Sequence, residues 1–337
     1  MNRVKERMNK VIKKENVKKI VVSYSGGKDS TVLLHLALEL AKERKLKLVI
    51  VHSDTLVENP VVHEHAFKTL KRVEEYCSRE GIEVEIKIAK PEIEYTFWVN
   101  LIGKGYPLPY HRFRWCQDKL KIKPIKKILH KIKQAVMFVG LRKDESLDRA
   151  RSLKNRLKKD FEIQSNGLST YAPMVDISEE EVWEFLTTSK PPYDSSYKRV
   201  IEIYKEAKGE CPIIPDKDNY KSGCGTRFGC WVCTLVREDK TLKNQILENE
   251  ELKPLYEFRN YMINVCSLPK NRSGIRRNGK FIGKGKGVLR LSTRKQLLTR
   301  LLKLQEKTGK ELISKAEVNL IKEIWEKDKV RFGNVIA

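Results

Sequence analysis

Short apolar runs alternate with amphipathic stretches through the first two-thirds of the chain. Some runs are almost continuously apolar and rich in β-branched residues, as expected for strands covered on both faces: residues 19–24, 47–52 and 135–140. Residues 83–88 alternate apolar and polar positions, which is typical of a more exposed edge strand. The segments between the runs carry apolar residues at helical spacing: 30–44, 60–80 and 118–133. This alternation predicts βαβ units and an α/β fold with a doubly wound, mostly parallel sheet.

The pattern changes after about residue 205. Gly and Cys become dense between residues 209 and 233, and strand-like runs end. Helical patterns return at 251–265, 292–307 and 314–328. We therefore predict two domains, an α/β core over residues 1–205 and a helical C-terminal subdomain over residues 206–337 that packs on the core or closes over it.

The chain has a strong excess of positive charge. Its 69 Lys and Arg against 44 Asp and Glu give a formal net charge of +25. This excess favours a polyanionic partner, because a thermophilic surface rich in Lys and Glu raises both signs together. Residues 270–300 contain eleven Lys or Arg and no acidic residue, which predicts a nucleic-acid contact through Arg272, Arg276, Arg277, Lys280, Lys284 and Lys286.

Membrane insertion and secretion are poor interpretations of this sequence. No stretch approaches the roughly 18 apolar residues that span a bilayer. The basic segment from Met1 to Lys19 is not followed by the apolar run of a secretory signal. We therefore expect a cytoplasmic protein that has no membrane partner.

Residues 23–30, Ser-Tyr-Ser-Gly-Gly-Lys-Asp-Ser, join the first predicted strand to the first helix. Glycines there let the backbone approach an anion, and a helix N-terminus offers unpaired N–H groups. This is not a Walker A loop, because Asp29 follows Lys28 where Ser or Thr is needed. The loop resembles the PP-loop of the N-type ATP pyrophosphatases, in which it grips the pyrophosphate of ATP. The resemblance implies an ATP site at Ser23, Ser25, Gly26, Gly27, Lys28, Asp29 and Ser30, with Asp29 as a Mg²⁺ contact.

Two further segments fit a nucleotide site. Asp54 follows the second predicted strand, although a turn or helix-capping role explains it equally well. Residues 140–146, Gly-Leu-Arg-Lys-Asp-Glu-Ser, resemble a motif of the phosphoadenylyl sulfate reductase-like branch of the same class. They add Gly140 and Arg142 to the ATP site, and Arg142 joins Lys28 and Asp29 as a predicted catalytic residue, because an Arg there can neutralise phosphate charge. Arg149 and Arg151 follow, with a solvated helix face as the alternative.

The chain has seven cysteines and no visible secretory signal, so free thiols or metal ligands are expected rather than disulfides. Cys224, Cys230 and Cys233 form a C-x5-C-x2-C cluster, and Cys116 is the best candidate for a fourth ligand. Spacing alone leaves open a [4Fe–4S] cluster, a zinc ion or a redox dithiol at Cys230 and Cys233. Cys77 and Cys266 are expected to pack as buried apolar residues. The role of Cys211, which precedes Pro212, stays open.

Several segments together resemble the DNA phosphorothioation sulfurtransferases of the DndC and SspD type: residues 23–30, 52–60, 109–124, 140–152, 222–234 and 271–287. The resemblance implies that ATP activates a DNA backbone phosphate and that sulfur from a cysteine desulfurase replaces a non-bridging oxygen. It also implies a [4Fe–4S] cluster at Cys116, Cys224, Cys230 and Cys233, and further proteins of the system that recognise the target sequence.

Other functions remain open at this point. A tRNA thiolase of the PP-loop class shares the ATP use, the charge and the cysteines, and differs only in the polymer. A phosphoadenylyl or adenylyl sulfate reductase is disfavoured, because the C-terminal residues 331–337 contain no nucleophilic Cys. A nucleic-acid-binding module with a structural cluster and an inactive loop is the non-enzymatic alternative.

Overall fold

A computed structural model describes residues 1–143, 157–158, 161–163, 167–208 and 228–336. The chain divides into two compact units that interleave along the sequence. Unit 1 comprises Met1–Ser53, Pro60–Ala89 and Ile125–Phe228, and unit 2 comprises Asp54–Asn59, Lys90–Pro124 and Gly229–Ala337. This division differs from the predicted boundary at residue 205, which placed 54–59 and 90–124 in the α/β core.

The physical reason for this difference is aromatic packing. Trp98, which precedes a π-helical segment at Val99–Gly103, lies 5.8 Å from Trp231 and 6.0 Å from Phe258 between ring centroids. Its Nε1 also donates a hydrogen bond to the Leu312 carbonyl at 2.7 Å. Residues 90–124 therefore contribute to the core of unit 2, although they follow a strand of unit 1.

Unit 1 contains the predicted sheet. Its strands in the described residues are β1 (Lys19–Tyr24), β2 (Lys47–Ser53), β3 (Val84–Ala89), β4 (Ala135–Phe138), β5 (Glu162–Ile163) and β6 (Thr170–Tyr171). They lie in the order β3-β2-β1-β4-β6-β5, and every pair is parallel except β5 with β6. The mostly parallel α/β sheet is therefore confirmed, and β3 lies at an edge as its alternating pattern indicated.

Helices cover this sheet because their apolar residues recur at helical spacing. They are α1 (Asn2–Glu15), α2 (Lys28–Arg44), α3 (Pro60–Glu80), α5 (Glu179–Thr188) and α6 (Lys198–Lys208), while α4 (Lys123–Leu129) begins in unit 2. Helix α2 is buried along most of its length and joins the main hydrophobic core, with Leu33, Leu34 and Ala37 fully buried. The loop before α2 is consequently fixed between a central strand and a buried helix.

Unit 2 is mainly helical. Besides π-helical segments at Val99–Gly103 and Gln117–Ile122, it contains α7 (Lys240–Glu248), α8 (Lys253–Ser267), α9 (Leu291–Thr308) and α10 (Lys315–Phe332). These bounds confirm the helical patterns at 251–265, 292–307 and 314–328. Among the described helices, none is both long and apolar enough to cross a membrane.

A buried ion-pair group connects α9 and α10. Arg294 is 0% exposed, and its NH1 donates to the Gly103 carbonyl at 2.6 Å and to Asp328 Oδ2 at 2.9 Å. Arg277 also pairs with Asp328, which is itself 1% exposed. Asp328 therefore compensates two guanidinium groups, one of them fully buried.

Asp328→Ala is expected to lower the free energy of unfolding by about 3–5 kcal/mol, because it leaves the buried charge of Arg294 uncompensated. Urea denaturation followed by tryptophan fluorescence measures the change. Glu326→Ala on the same helix is the matched control, since the Glu326–Lys329 pair is exposed and its loss should cost less than about 1 kcal/mol. Equal losses in the two variants would contradict a stabilising role for the buried group.

Candidate active site

The loop between β1 and α2 curls back on the first turn of the helix. Ser30 Oγ accepts a hydrogen bond from the Ser25 N–H at 3.2 Å and donates one to the Gly27 carbonyl at 2.9 Å. The Ser25 and Ser30 hydroxyl oxygens are 3.1 Å apart. Gly26 has a φ of +79°, and a Cβ there would lie 3.1 Å from the Ala66 Cβ, so only glycine fits without strain. The loop thus presents backbone amides and two hydroxyls at a helix N-terminus, as an anion site requires.

Lys28 begins α2 and is only 5% exposed. Its backbone N–H donates to the Tyr204 hydroxyl at 3.2 Å. Its Nζ lies 3.5 Å from Glu179 Oε1 and 5.0 Å from the centroid of the Tyr204 ring. Residues from α5 and α6 therefore hold this lysine against the loop.

Arg142 and Asp29 form the strongest contact of the site. Arg142 is 1% exposed; its Nε donates to Asp29 Oδ1 at 2.7 Å, and its NH1 donates to the Ile177 carbonyl at 3.2 Å. The other Asp29 oxygen lies 3.8 Å from Lys28 Nζ. The structure thus brings together the three predicted catalytic residues. Both Asp29 oxygens face protein cations, whereas the sequence predicted a Mg²⁺ contact.

Gly140 follows β4 and packs directly on the loop. A Cβ at Gly140 would lie 3.1 Å from both the carbonyl carbon and the carbonyl oxygen of Asp29. A side chain there would push the loop away from the carboxyl end of β4. Gly140 is therefore required for the close approach that lets Arg142 reach Asp29.

Two residues predicted for the ATP site, Ser23 and Asp54, lie outside the loop between β1 and α2. Ser23 lies within β1, in register with Val51, so the loop itself begins after Tyr24. Asp54 belongs to unit 2 and is 2% exposed. Its Oδ1 accepts from the Leu56 N–H at 2.9 Å, and its Oδ2 lies 3.4 Å from Lys90 Nζ. These contacts match the turn role that the sequence left open for Asp54. The predicted residues Arg149 and Arg151 lie outside the described residues.

Three of the predicted metal ligands lie in unit 2: Cys116, Cys230 and Cys233. Residues 54–59 pair with the segment that carries Cys230 and Cys233. The Asn59 N–H donates to the Gly229 carbonyl at 3.2 Å, and the Trp231 N–H donates to the Val57 carbonyl at 3.1 Å. Thr55 Oγ1 lies 3.4 Å from Cys230 Sγ. Backbone pairing thus fixes the segment that bears Cys230 and Cys233.

The thiols are close enough for their charges to interact. Burial, and then negative charge on Cys230 and Cys233, raise the pKa of Cys116 to about 11. Burial also raises the pKa of Cys230, although Lys121 and the Thr55 hydroxyl oppose the shift. Burial would lower the pKa of Lys121, but the thiols and Glu58 outweigh it and the pKa is raised. The charge of Lys121 therefore favours the ionised form of these thiols and opposes the effect of their burial.

This donor set fits a thiolate-bound metal group in its chemistry, because cysteine sulfur is the soft ligand that iron–sulfur clusters and zinc take. Within the described ranges, no group of three or more Cys, His, Asp or Glu is already arranged around a common metal position. The fourth predicted ligand, Cys224, and the ambiguous Cys211 lie outside the described residues. Cys77 and Cys266 are buried, as expected for packing residues.

The basic segment of residues 271–290 is a compact loop in unit 2. Isolated bridges pair Arg272 with Leu289 and Ile275 with Phe281. A Cβ at Gly287 would lie 2.0 Å from the Ile275 carbonyl oxygen, so the loop closes only with glycine there. The cations that remain exposed are Arg276, Lys280, Lys284 and Lys286.

The other two residues predicted to contact nucleic acid, Arg272 and Arg277, bind groups of the protein itself. Arg272 donates through Nε and NH2 to the Cys266 carbonyl at 3.1 and 2.8 Å, and through NH1 to the Gly287 carbonyl at 3.0 Å. Its guanidinium group therefore closes the loop, and its nucleic-acid contact stays a prediction. Arg277 is half-buried and pairs with Asp328.

The family profile of the phosphoadenosine phosphosulfate reductase domain matches residues 19–236. The chain belongs to this family. The match covers every strand of unit 1, the phosphate loop, Arg142 and the three cysteines discussed above. Members of the family are ATP-using or sulfur-transfer enzymes.

The chain is similar to an uncharacterized protein of Methanocaldococcus jannaschii, with 35% identity over 55% of this chain and 35% of that protein. It is also similar to sulfate adenylyltransferase subunit 2 of Sulfurimonas denitrificans, with 31% identity over 39% of this chain and 38% of that protein. The chain thus spans little more than a third of the length of these relatives. Among solved structures, a U34-tRNA thiolase of Methanococcus maripaludis with its [4Fe-4S] cluster aligns at 20% identity, with a TM-score of 0.35, over 62% of this chain and 74% of that one.

Sequence reasoning missed several residues of this phosphoadenosine phosphosulfate reductase-type site. Tyr204 and Glu179 contact Lys28, yet they follow it by more than 150 residues in helical patterns that read as ordinary amphipathic faces. Lys121 is a further such residue, because its charge interacts with the thiols of unit 2. Its position five residues after Cys116 was the available signal.

Proposed function

We propose that the protein is a sulfurtransferase that uses ATP to phosphorothioate the DNA backbone. The observation that carries this proposal is the presence in unit 2 of Cys116, Cys230 and Cys233 around the charge of Lys121. Together with an anchored phosphate loop in unit 1, this supplies both halves of such a reaction. The exposed cations of the 271–290 loop supply sequence-independent contacts to a polyanion.

In the proposed reaction, an oxygen of a DNA phosphate attacks the α-phosphorus of ATP, and pyrophosphate leaves. A cysteine desulfurase delivers sulfur as a persulfide, and a thiol reductant supplies the two electrons that release its outer sulfur as sulfide. The sulfide then attacks the DNA phosphorus, and AMP leaves with the displaced oxygen. The amides of Gly26 and Gly27 and the hydroxyls of Ser25 and Ser30 bind the pyrophosphate. Arg142, oriented by Asp29, stabilises the negative charge that develops during displacement. Mg²⁺ accompanies the nucleotide.

A [4Fe–4S] cluster held by Cys116, Cys224, Cys230 and Cys233 would have all four irons bound by thiolates, and it would offer an iron to incoming sulfur only where one of these thiolates is displaced. Lys121 balances part of the thiolate charge. A cysteine desulfurase is the proposed sulfur donor, and other proteins of the system recognise the target sequence, since phosphate contacts alone carry no base specificity. A cytoplasmic location agrees with these partners.

Reconstitution tests the proposal. The anaerobically purified protein is incubated with ATP, Mg²⁺, L-cysteine, a cysteine desulfurase, dithiothreitol as the thiol reductant and either DNA or tRNA. We expect phosphorothioate dinucleotides after nuclease digestion of the DNA, detected by mass spectrometry, together with equal amounts of AMP and pyrophosphate. Thionucleosides in tRNA without modified DNA would make the protein a tRNA thiolase. Binding of DNA without pyrophosphate release would leave only a nucleic-acid-binding module.

A further inference from the structure

A group of lysines surrounds one tyrosine ring in unit 2. The Nζ atoms of Lys119, Lys104 and Lys123 lie 4.7, 5.2 and 5.3 Å from the centroid of the Tyr95 ring. Lys119 Nζ also lies 5.4 Å from the centroid of Tyr106. These five residues are called the Tyr95 cluster below. Each such contact contributes a modest cation–π attraction, but three like charges on one ring also repel one another.

Separate backbone elements bring the Tyr95 cluster together. Tyr95 ends a short 3₁₀ turn, and Lys104 directly follows the π-helical segment Val99–Gly103. Lys104 Nζ donates to the Glu94 carbonyl at 2.5 Å, which fixes the ammonium group. Lys119 lies in the π-helical segment Gln117–Ile122, and Lys123 begins α4. The arrangement is therefore built by the fold and is more than a run of lysines in the sequence.

The cluster carries an excess of positive charge, although Asp118 Oδ2 lies 3.4 Å from Lys123 Nζ and offsets one of its three lysines. Burial, and then the charge of Lys119, lower the pKa of Lys104 to about 8, with Arg277 adding to the shift and Glu94 opposing it. Burial and the charge of Lys123 lower the pKa of Lys119, and Asp118 opposes that shift. Cations thus outweigh the neighbouring carboxylates. An anion bound among them would relieve this repulsion.

We propose that the Tyr95 cluster binds a backbone phosphate of the nucleic-acid strand. The class of ligand rests on the proposed function. A strand is favoured over free phosphate because the charge of Arg277 acts on Lys104, and Arg277 belongs to the 271–290 loop with its exposed cations. The half-exposed rings of Tyr95 and Tyr106 add flat faces of the kind that contact sugars and bases.

This position bears on the chemistry because of the π-helical segment Gln117–Ile122. The segment carries Lys119 in the Tyr95 cluster, and it also carries Lys121, whose charge interacts with the Cys230 thiol. A phosphate held by Lys119 is therefore held by the segment that contributes to the thiol site. The Tyr95 cluster would anchor the strand while the thiol site delivers sulfur.

Competitive chemical labelling tests this inference on the full chain. Trace acetic anhydride at pH 8 should acetylate Lys104 faster than Lys240, because a lower pKa leaves more free amine and Lys240 is an exposed lysine of α7. A saturating 20-base-pair DNA should slow labelling of Lys104 and Lys119 by about 5-fold or more, with Lys240 unchanged. Inorganic phosphate at the same phosphate concentration should protect much less. Equal protection by inorganic phosphate would show that the Tyr95 cluster binds small anions rather than a nucleic-acid strand, and would overturn the inference.

Binding measurements give a second readout. Lys119→Gln should weaken DNA binding about 10-fold at low salt and reduce the slope of log affinity against log salt by about one unit, as expected for one lost phosphate contact. Lys240→Gln is the matched control and should change neither. Tyr95→Phe should bind as the wild type does, because the ring is retained.

The outcomes separate this inference from the proposed function. Protection of Lys104 and Lys119 without any phosphorothioate product would contradict the proposed function but support binding of a nucleic-acid strand at the Tyr95 cluster. Phosphorothioate product with no protection and an unchanged salt slope would overturn the strand site alone.

Discussion

Asp29→Asn is expected to slow the release of pyrophosphate from ATP by about 100-fold or more, the size of effect seen when one preorganised charge contact is lost. The substitution keeps the shape of the side chain but removes the charge that orients Arg142 at 2.7 Å. Arg142 is 1% exposed, so its charge becomes uncompensated, and stability should also fall by about 3–5 kcal/mol. Coupled pyrophosphatase assays measure the rate, and urea denaturation measures the stability.

The Arg7–Asp176 pair is the matched control, because it joins the same residue types in unit 1 with an Asp side chain that is 40% exposed. Asp176→Asn should leave pyrophosphate release unchanged and cost little stability. The double variant Asp29→Asn/Arg142→Met separates the two effects of Asp29, since removing both charges should restore stability but not activity. An active Asp29→Asn enzyme would contradict the role of the Arg142–Asp29 pair in charge stabilisation.

The sequence predicted those parts of the fold that local pattern determines. Residues 19–24 and 47–52 are nearly all apolar because parallel strands are covered on both faces, and both runs became neighbouring strands. Gly140 was predicted from its motif as an ATP-site residue. Its packing against the Asp29 backbone gives that glycine a physical reason, because a Cβ would push the residues after β4 away from the first turn of α2.

Contacts distant in sequence could not be predicted in this way. Residues 90–124 follow β3 and have no composition that distinguishes them from a connection within the α/β core. They belong to unit 2 because Trp98 packs against Trp231 and Phe258, which follow it by more than 130 residues in the sequence. Likewise, the sequence alone does not show which group a charged side chain will contact. Arg272 counted as a free cation in the pattern, but its guanidinium group closes a loop on backbone carbonyls.

The buried side chains around Lys28 hold two positive charges in fixed positions in which they can interact with phosphate. Lys28 is held by Glu179 and the Tyr204 ring, while Arg142 is held by Asp29. Each cation thus has a carboxylate that keeps it in place. Such fixed charges need little rearrangement when negative charge develops, which is the basis of electrostatic catalysis. The loop of unit 1 is therefore suited to displacement at phosphorus.

Cys116→Ser is expected to abolish phosphorothioation while leaving pyrophosphate release within about 3-fold of the wild type. The physical reason is that Cys116 lies in unit 2 with the other thiols, whereas the phosphate loop proposed to bind ATP lies in unit 1. Wild-type protein purified without oxygen should contain about four iron atoms per chain. The variant should lose most of this iron and the brown colour, as measured by absorption and metal analysis.

Cys77→Ser is the matched control, because this thiol is buried in α3 of unit 1. It lies in the main hydrophobic core among apolar side chains, so it is a packing residue rather than a ligand, and burial raises its pKa to about 11. The control should keep its iron and its activity. One zinc and no iron in the wild type would replace the cluster with a tetrahedral zinc site. Loss of activity without any bound metal would instead favour sulfur transfer through a dithiol, since Cys116 would then act by its thiol alone.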